Sequence, residues 1–144
     1  MKLPLLFLGL IGISSAAMAV DNATTKSAPE LTTVRAALKA KNYPAALAEL
    51  KGMVVMYQNP DVYNLLGFAL RKTGDQTQAM TYYKKALDFD PAHKGALEYQ
   101  GELFVELGQI AKARENVAKL EKICPSGCEE LEDLREALAH AKGS

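Results

Sequence analysis

The sequence predicts an all-α solenoid of about three helix-turn-helix units with a C-terminal capping helix. Three observations carry this. Residues 59–91 hold two stretches of helical apolar spacing: Tyr63, Leu66, Phe68 and Leu70, then Ala79, Tyr82, Tyr83, Ala86 and Leu87 after Gly74. The unit recurs at a spacing of 34 residues, with Gly67 mapping to Gly101, Gly74 to Gly108, Ala79 to Ala113 and Pro91 to Pro125. A period of this length marks a solenoid, because one helix pair cannot bury its apolar face alone and stacked neighbours can. Finally, residues 129–141 place Leu131, Leu134 and Leu138 on one helical face and Glu129, Glu130, Asp133, Arg135 and Glu136 mostly opposite. A polar-backed amphipathic helix is what an array needs to seal its last apolar surface.

Taken in order, residues 1–19 read as a signal peptide: Lys2, an apolar run over 3–13, and Ala17-Met18-Ala19 as a small-x-small cleavage site. The alternative is an uncleaved membrane anchor. The run falls short of the roughly 20 residues a span needs and ends in Ser14 and Ser15. Cleavage after Ala19 would leave a periplasmic or secreted chain with no stable membrane span. Residues 20–28 are small and polar and are expected to form a disordered leader.

The first unit (29–59) opens at a Ser27/Glu30 capping box. Leu31, Val34 and Leu38 form its first stripe, and Ala46, Leu47, Leu50, Val54 and Met56 or Tyr57 its second. Asn42 is read as the C-cap between them and Pro44 as the opener of the second helix. In the second unit (60–93), Asn59 caps the first helix with Pro60 at its opening position, where a missing N–H does no harm. Gly74 ends that helix and Asp75 starts the next. Gly67 is expected to face Ala79, since a glycine inside a helix costs about 1 kcal/mol against alanine and a close helix crossing is the physical reason for one. The third unit (94–125) carries Leu97, Phe104 and Leu107, then Ile110, Ala113, Val117, Leu120 and Ile123. Ser126 and Glu129 form a second capping box, opening the capping helix and tail (126–144). Seven helices in a right-handed superhelical arc follow.

Tyr63, Leu66, Gly67, Ala79, Tyr83, Ala86 and Pro91 together resemble the tetratricopeptide repeat family in register, with Leu70 in place of the second aromatic. Gly101, Phe104, Ala113 and Pro125 match in the next copy, where Leu97 and Gln100 fit less well. In the first unit Arg35 stands where the pattern wants glycine. The resemblance spans roughly residues 28–125, and the CPSGCEELEDL tail is similar to that of some exported bacterial members. It implies packing roles for Tyr63, Leu66, Gly67, Ala79, Tyr83, Ala86, Gly101 and Ala113. It also implies a protein or peptide partner held in a concave groove lined by the first helix of each pair. Asn64, Phe68, Arg71, Lys72, Glu98, Tyr99 and Glu102 are the groove residues expected to meet it. Such a groove would be basic at one end and acidic at the other, with Phe68 and Tyr99 as apolar anchors. The Lys/Asn/Asn/Lys/Arg clamp of some family members is not made, because its positions hold Thr32, Ala36, Leu65, Gly95 and Tyr99.

Equal numbers of basic and acidic side chains give a formal net charge of zero, so nothing draws the chain to nucleic acid. No Ser/His/Asp elbow, phosphate loop or H-E-x-x-H occurs, so no catalytic residue, cofactor or metal is expected. Cys124 and Cys128 are the only cysteines, spaced C-x3-C. In an exported chain the default is a disulfide; a redox pair or half of a metal site is the alternative. Two other functional readings remain beside the groove adaptor: a structural accessory subunit of an envelope or secretion complex, and a redox- or metal-responsive protein using the cysteine pair.

Overall fold

The structure, a computed structural model, describes residues 29–141. The expected signal peptide and leader, together with Ser27, lie outside the described residues. Within them the chain is all helix: α1 (Thr32–Lys39), α2 (Tyr43–Met56), α3 (Pro60–Lys72), α4 (Gln76–Phe89), α5 (Lys94–Glu106), α6 (Ile110–Ile123) and α7 (Glu129–Ala141). Each helix packs on the next, and α3 with α5 and α5 with α7 also touch directly. This is an all-α solenoid, three helix pairs and a final helix. Among the described residues no helix is long and apolar enough to cross a membrane.

The local chemistry sets the boundaries. Asn59 Oδ1 accepts from the Asp61 and Val62 amides at 2.9 and 3.2 Å, and Pro60 opens α3. Gly74 (φ +93°) and Gly108 (φ +70°) turn the chain out of α3 and α5 in the left-handed region. Asp75 then caps α4, accepting from the Gln78 amide at 3.0 Å. Three expectations about the ends are corrected. Asn42 caps the start of α2, accepting from the Ala45 amide, and the left-handed exit from α1 falls on Lys41 (φ 57°). The N-cap of α1 is Leu31, with no side-chain cap, while Glu30 accepts from the Thr32 amide at 2.8 Å. At α7 the first amide bonds end on the Cys128 carbonyl, so Cys128 rather than Ser126 holds the cap position.

The core is built from the repeated positions. Tyr63, Leu66, Gly67, Ala79, Tyr83, Ala86, Gly101 and Ala113 are all buried. A Cβ on Gly67 would lie 2.7 Å from the Tyr83 ring and 3.2 Å from the Ala79 carbonyl oxygen, so the glycine meets both. Leu107, expected inside, is exposed, as is Ile123 at 36%, and of the alternatives Met56 or Tyr57 it is Tyr57 that packs against the core. In α5 the apolar burial falls instead on Ala96, Leu97 and Leu103.

The final helix is more than a lid. Leu131, Leu134 and Leu138 stand 34 residues beyond Leu97, Gln100 and Phe104, which stand 34 beyond Tyr63, Leu66 and Leu70. The period therefore runs on through α7, which takes the place of a fourth first helix. Gly101 records the contact: a Cβ there would lie 2.5 Å from Leu134 Cδ2.

Candidate functional site

The odd-numbered helices share one face, and two adjoining cavities open on it. The first, about 280 Å³, is walled by Arg35 from α1, by Asp61, Asn64 and Leu65 from α3, by the cap residue His93 with Gly95, Glu98 and Tyr99 of α5, and by Glu129, Glu130 and Asp133 from α7. The second, about 290 Å³, is lined by Arg35, Leu38, Lys39, Leu65, Phe68 and Tyr99. Arg35, Leu65 and Tyr99 belong to both, so the two form a continuous groove.

The repeat places these side chains. Asp61, Gly95 and Glu129 are equivalent positions one period apart, as are Leu65, Tyr99 and Asp133. Gly95 lets α3 and α5 draw together: a Cβ there would lie 3.0 Å from Asn64 Nδ2. His93 couples the same two helices. Its Nδ1 accepts from the Ala96 amide at 3.0 Å, which puts the proton of the neutral ring on Nε2, and Nε2 donates to Asp61 Oδ1 at 3.0 Å.

Charge in the first cavity is mostly negative. Glu130 is engaged by Lys94 at 3.3 Å and Asp61 by His93. Glu98, Glu129 and Asp133 have no hydrogen-bond or ion-pair partner among the described residues. Glu98 is only 6% exposed. Burial, with Glu102, Asp133, Glu130 and Glu129 adding like charge, pushes its carboxyl up to about 8. Burial and the same negative surroundings push the Tyr99 hydroxyl up to about 12. Asn64 is 5% exposed, and its Oδ1 is buried with no partner. The second cavity is apolar and basic: the Phe68 ring lies 4.7 Å from that of Tyr99, and Lys72 Nζ sits 5.3 Å from the Phe68 centroid.

The seven groove residues read from the sequence thus divide. Asn64, Glu98 and Tyr99 line the acidic cavity, Phe68 and Tyr99 the apolar one, and Lys72 covers Phe68. Arg71 and Glu102 do not stand free at opposite ends of the groove. The Arg71 side chain is 6% exposed, pairs with Glu102, and grips Glu106 through Nε at 3.0 Å and Nη2 at 2.7 Å. Burial opposes the guanidinium charge, and the two carboxylates outweigh it, holding Arg71 above its ordinary value. Burial likewise works to raise Glu106, and the Arg71 hydrogen bonds hold its carboxyl below the usual range. The basic end rests instead on Arg35, Lys39 and Lys72.

Sequence reasoning missed His93, Gly95 and the carboxylates of α7, which it placed on a solvated outer face. Carrying the period one step past Pro125 finds Glu129 and Asp133. Cys124 and Cys128 are joined by a disulfide that ties the end of α6 to the first turn of α7, directly before those carboxylates. No group of three or more His, Cys, Asp or Glu among the described residues could hold a metal ion.

The stacked helix pairs and the shared groove define a helical-repeat binding scaffold. A tetratricopeptide repeat family model matches residues 60–93, the second unit. Repeats of this family build scaffolds for protein–protein interaction that are generally without enzymatic activity. No curated protein matches the chain.

Proposed function

We propose that this protein is an exported, non-catalytic adaptor that holds a protein or peptide partner in the groove of its odd-numbered helices. The observation that carries this is the pair of adjoining cavities walled only by α1, α3, α5, α7 and the α5 cap. Export, to the periplasm or beyond the cell, rests on residues 1–19 of the sequence and is supported by the disulfide, since such bonds persist in oxidising compartments. The test is a crosslinking capture from the native compartment, wild type against a Phe68→Ala/Lys39→Glu variant. A partner lost in the variant while circular dichroism stays helical supports the groove. An unchanged set of partners contradicts it. Arg71 is a poor choice for this variant, because removing it breaks a nearly buried ion pair.

A second reading has its own observation. Val55 (85%), Met56 (57%) and Phe89 (52%) are large apolar side chains left exposed at the ends of α2 and α4. Such exposed apolar ends would suit permanent packing into a larger assembly as an accessory subunit. Co-elution of the whole native pool with a larger complex would favour it over the adaptor.

A further inference from the structure

We propose, resting on the groove reading above, that the first cavity, at its acidic wall of α3, α5 and α7 rather than at Arg35 of α1, selects a basic segment of the partner by taking one of its lysine or arginine side chains. Three acidic side chains face that cavity without a partner among the described residues: Glu98 in its wall, and the carboxylates of Glu129 and Asp133 on α7. Carboxylates with unused acceptor sites are what an ammonium or guanidinium group recognises, and a cation bound there would relieve their mutual repulsion. The rim already shows the preference, because Glu130 binds Lys94 of the same chain.

A second observation points to a ligand independently. Asn64 lines this cavity at 5% exposure, and its amide oxygen is buried with no hydrogen bond. An amide oxygen in that state is an acceptor in want of a donor. A cationic head with several N–H groups supplies one while its remaining donors reach the carboxylates. Size agrees: about 280 Å³ falls just below the range of roughly 300–1,000 Å³ typical of drug-sized ligands. Leu65 and the Tyr99 ring offer apolar surface for an aliphatic stem beneath the charge. A bare divalent cation is disfavoured, since these acidic groups are not arranged to hold a metal ion.

The experiment is fluorescence anisotropy of the full chain with labelled peptides of one backbone, alternating Ala with Lys, norleucine or Glu. The lysine peptide should bind at least about tenfold more tightly than its norleucine isostere, with the glutamate peptide weakest. Asp133→Lys and Glu129→Lys, both on the surface of α7, should each erase most of that preference. Equal binding of the lysine and norleucine peptides overturns the proposal, as does a lysine preference that survives both variants or no lysine-peptide binding at all. Should both peptides bind equally and both be lost in Phe68→Ala/Lys39→Glu, the groove stands and only the cation selectivity falls.

Discussion

The second and third units share one plan, and they solve the same packing problem differently. In the second, Gly67 opens a gap that Tyr83 of its own pair fills. In the third, the position equivalent to Tyr83 is Val117, which is smaller, and the gap at Gly101 is filled by Leu134 from α7. The interiors differ as well. Leu66 and Tyr82 of the second unit correspond to Gln100 and Asn116 of the third. Asn116 is 2% exposed, and its Nδ2 donates to Gln100 Oε1 at 3.0 Å and the Leu97 carbonyl at 2.9 Å. The gap in the second unit is therefore filled from within its own pair, whereas the third fills its gap from α7 and carries a polar pair in its interior. Such dependence makes α7 part of the fold rather than an appendix, and it fixes the carboxylates that α7 brings to the groove.

The sharpest way to break this comparison is to add one methyl group at each glycine. Gly67→Ala pushes into a fully buried ring and a backbone carbonyl, neither of which can yield cheaply. It should cost about 3 kcal/mol in urea unfolding. Gly101→Ala meets the end of a leucine and should cost less, about 1–2 kcal/mol. In combination with Leu134→Ala it should be markedly less than additive. Equal costs, or additivity, would mean that Leu134 does not fill the gap.

Asn116→Ala comes next. It strips the Leu97 carbonyl and Gln100 of their buried donor and should destabilise the chain by about 2 kcal/mol, read as a shift in denaturation midpoint. Cys124→Ser with Cys128→Ser removes a bridge between residues 4 apart, so the loss belongs at the low end of the usual range, about 2 kcal/mol. Groove binding should survive it. Lost partner or metal binding with helicity intact would instead favour the redox- or metal-responsive reading.

The smallest effect is a pH dependence. Glu98 has an ordinary value of 4.5 and is raised to about 8 in the folded chain, by burial and by the carboxylates of α5 and α7. At low pH both states hold the proton and the group is neutral to stability. As pH rises between these values the unfolded state releases it first, so the folded state binds more protons and stability declines. Glu98→Gln should flatten that decline between about pH 5 and 8 and raise the melting temperature at pH 7. A slope unchanged by the substitution would show that Glu98 ionises freely.

How much of this could be read from the chain follows the same division. Helical period, caps and the 34-residue repeat are local signals, so the second unit and the extent of α7 were legible. Gln100 looked like a weak match because its partner, Asn116, lies 16 residues away on another helix. Arg71 looked available for the same reason: its carboxylates lie 31 and 35 residues on, about one repeat, and only stacking brings them together. The acidic cavity stayed hidden because α7 reads as a cap unless the period is carried through it.

The account turns on which face of the array is the working one, and site-specific photo-crosslinking in the native compartment tests that most directly. A crosslinking residue would replace Ala36 or Lys39 on the odd helices, and Thr81 or Glu115 on the even ones. Capture of the same partner is predicted from the odd positions and none from the even. Capture from Thr81 or Glu115, with none from Ala36 or Lys39, would contradict the groove reading and move the partner to the opposite face.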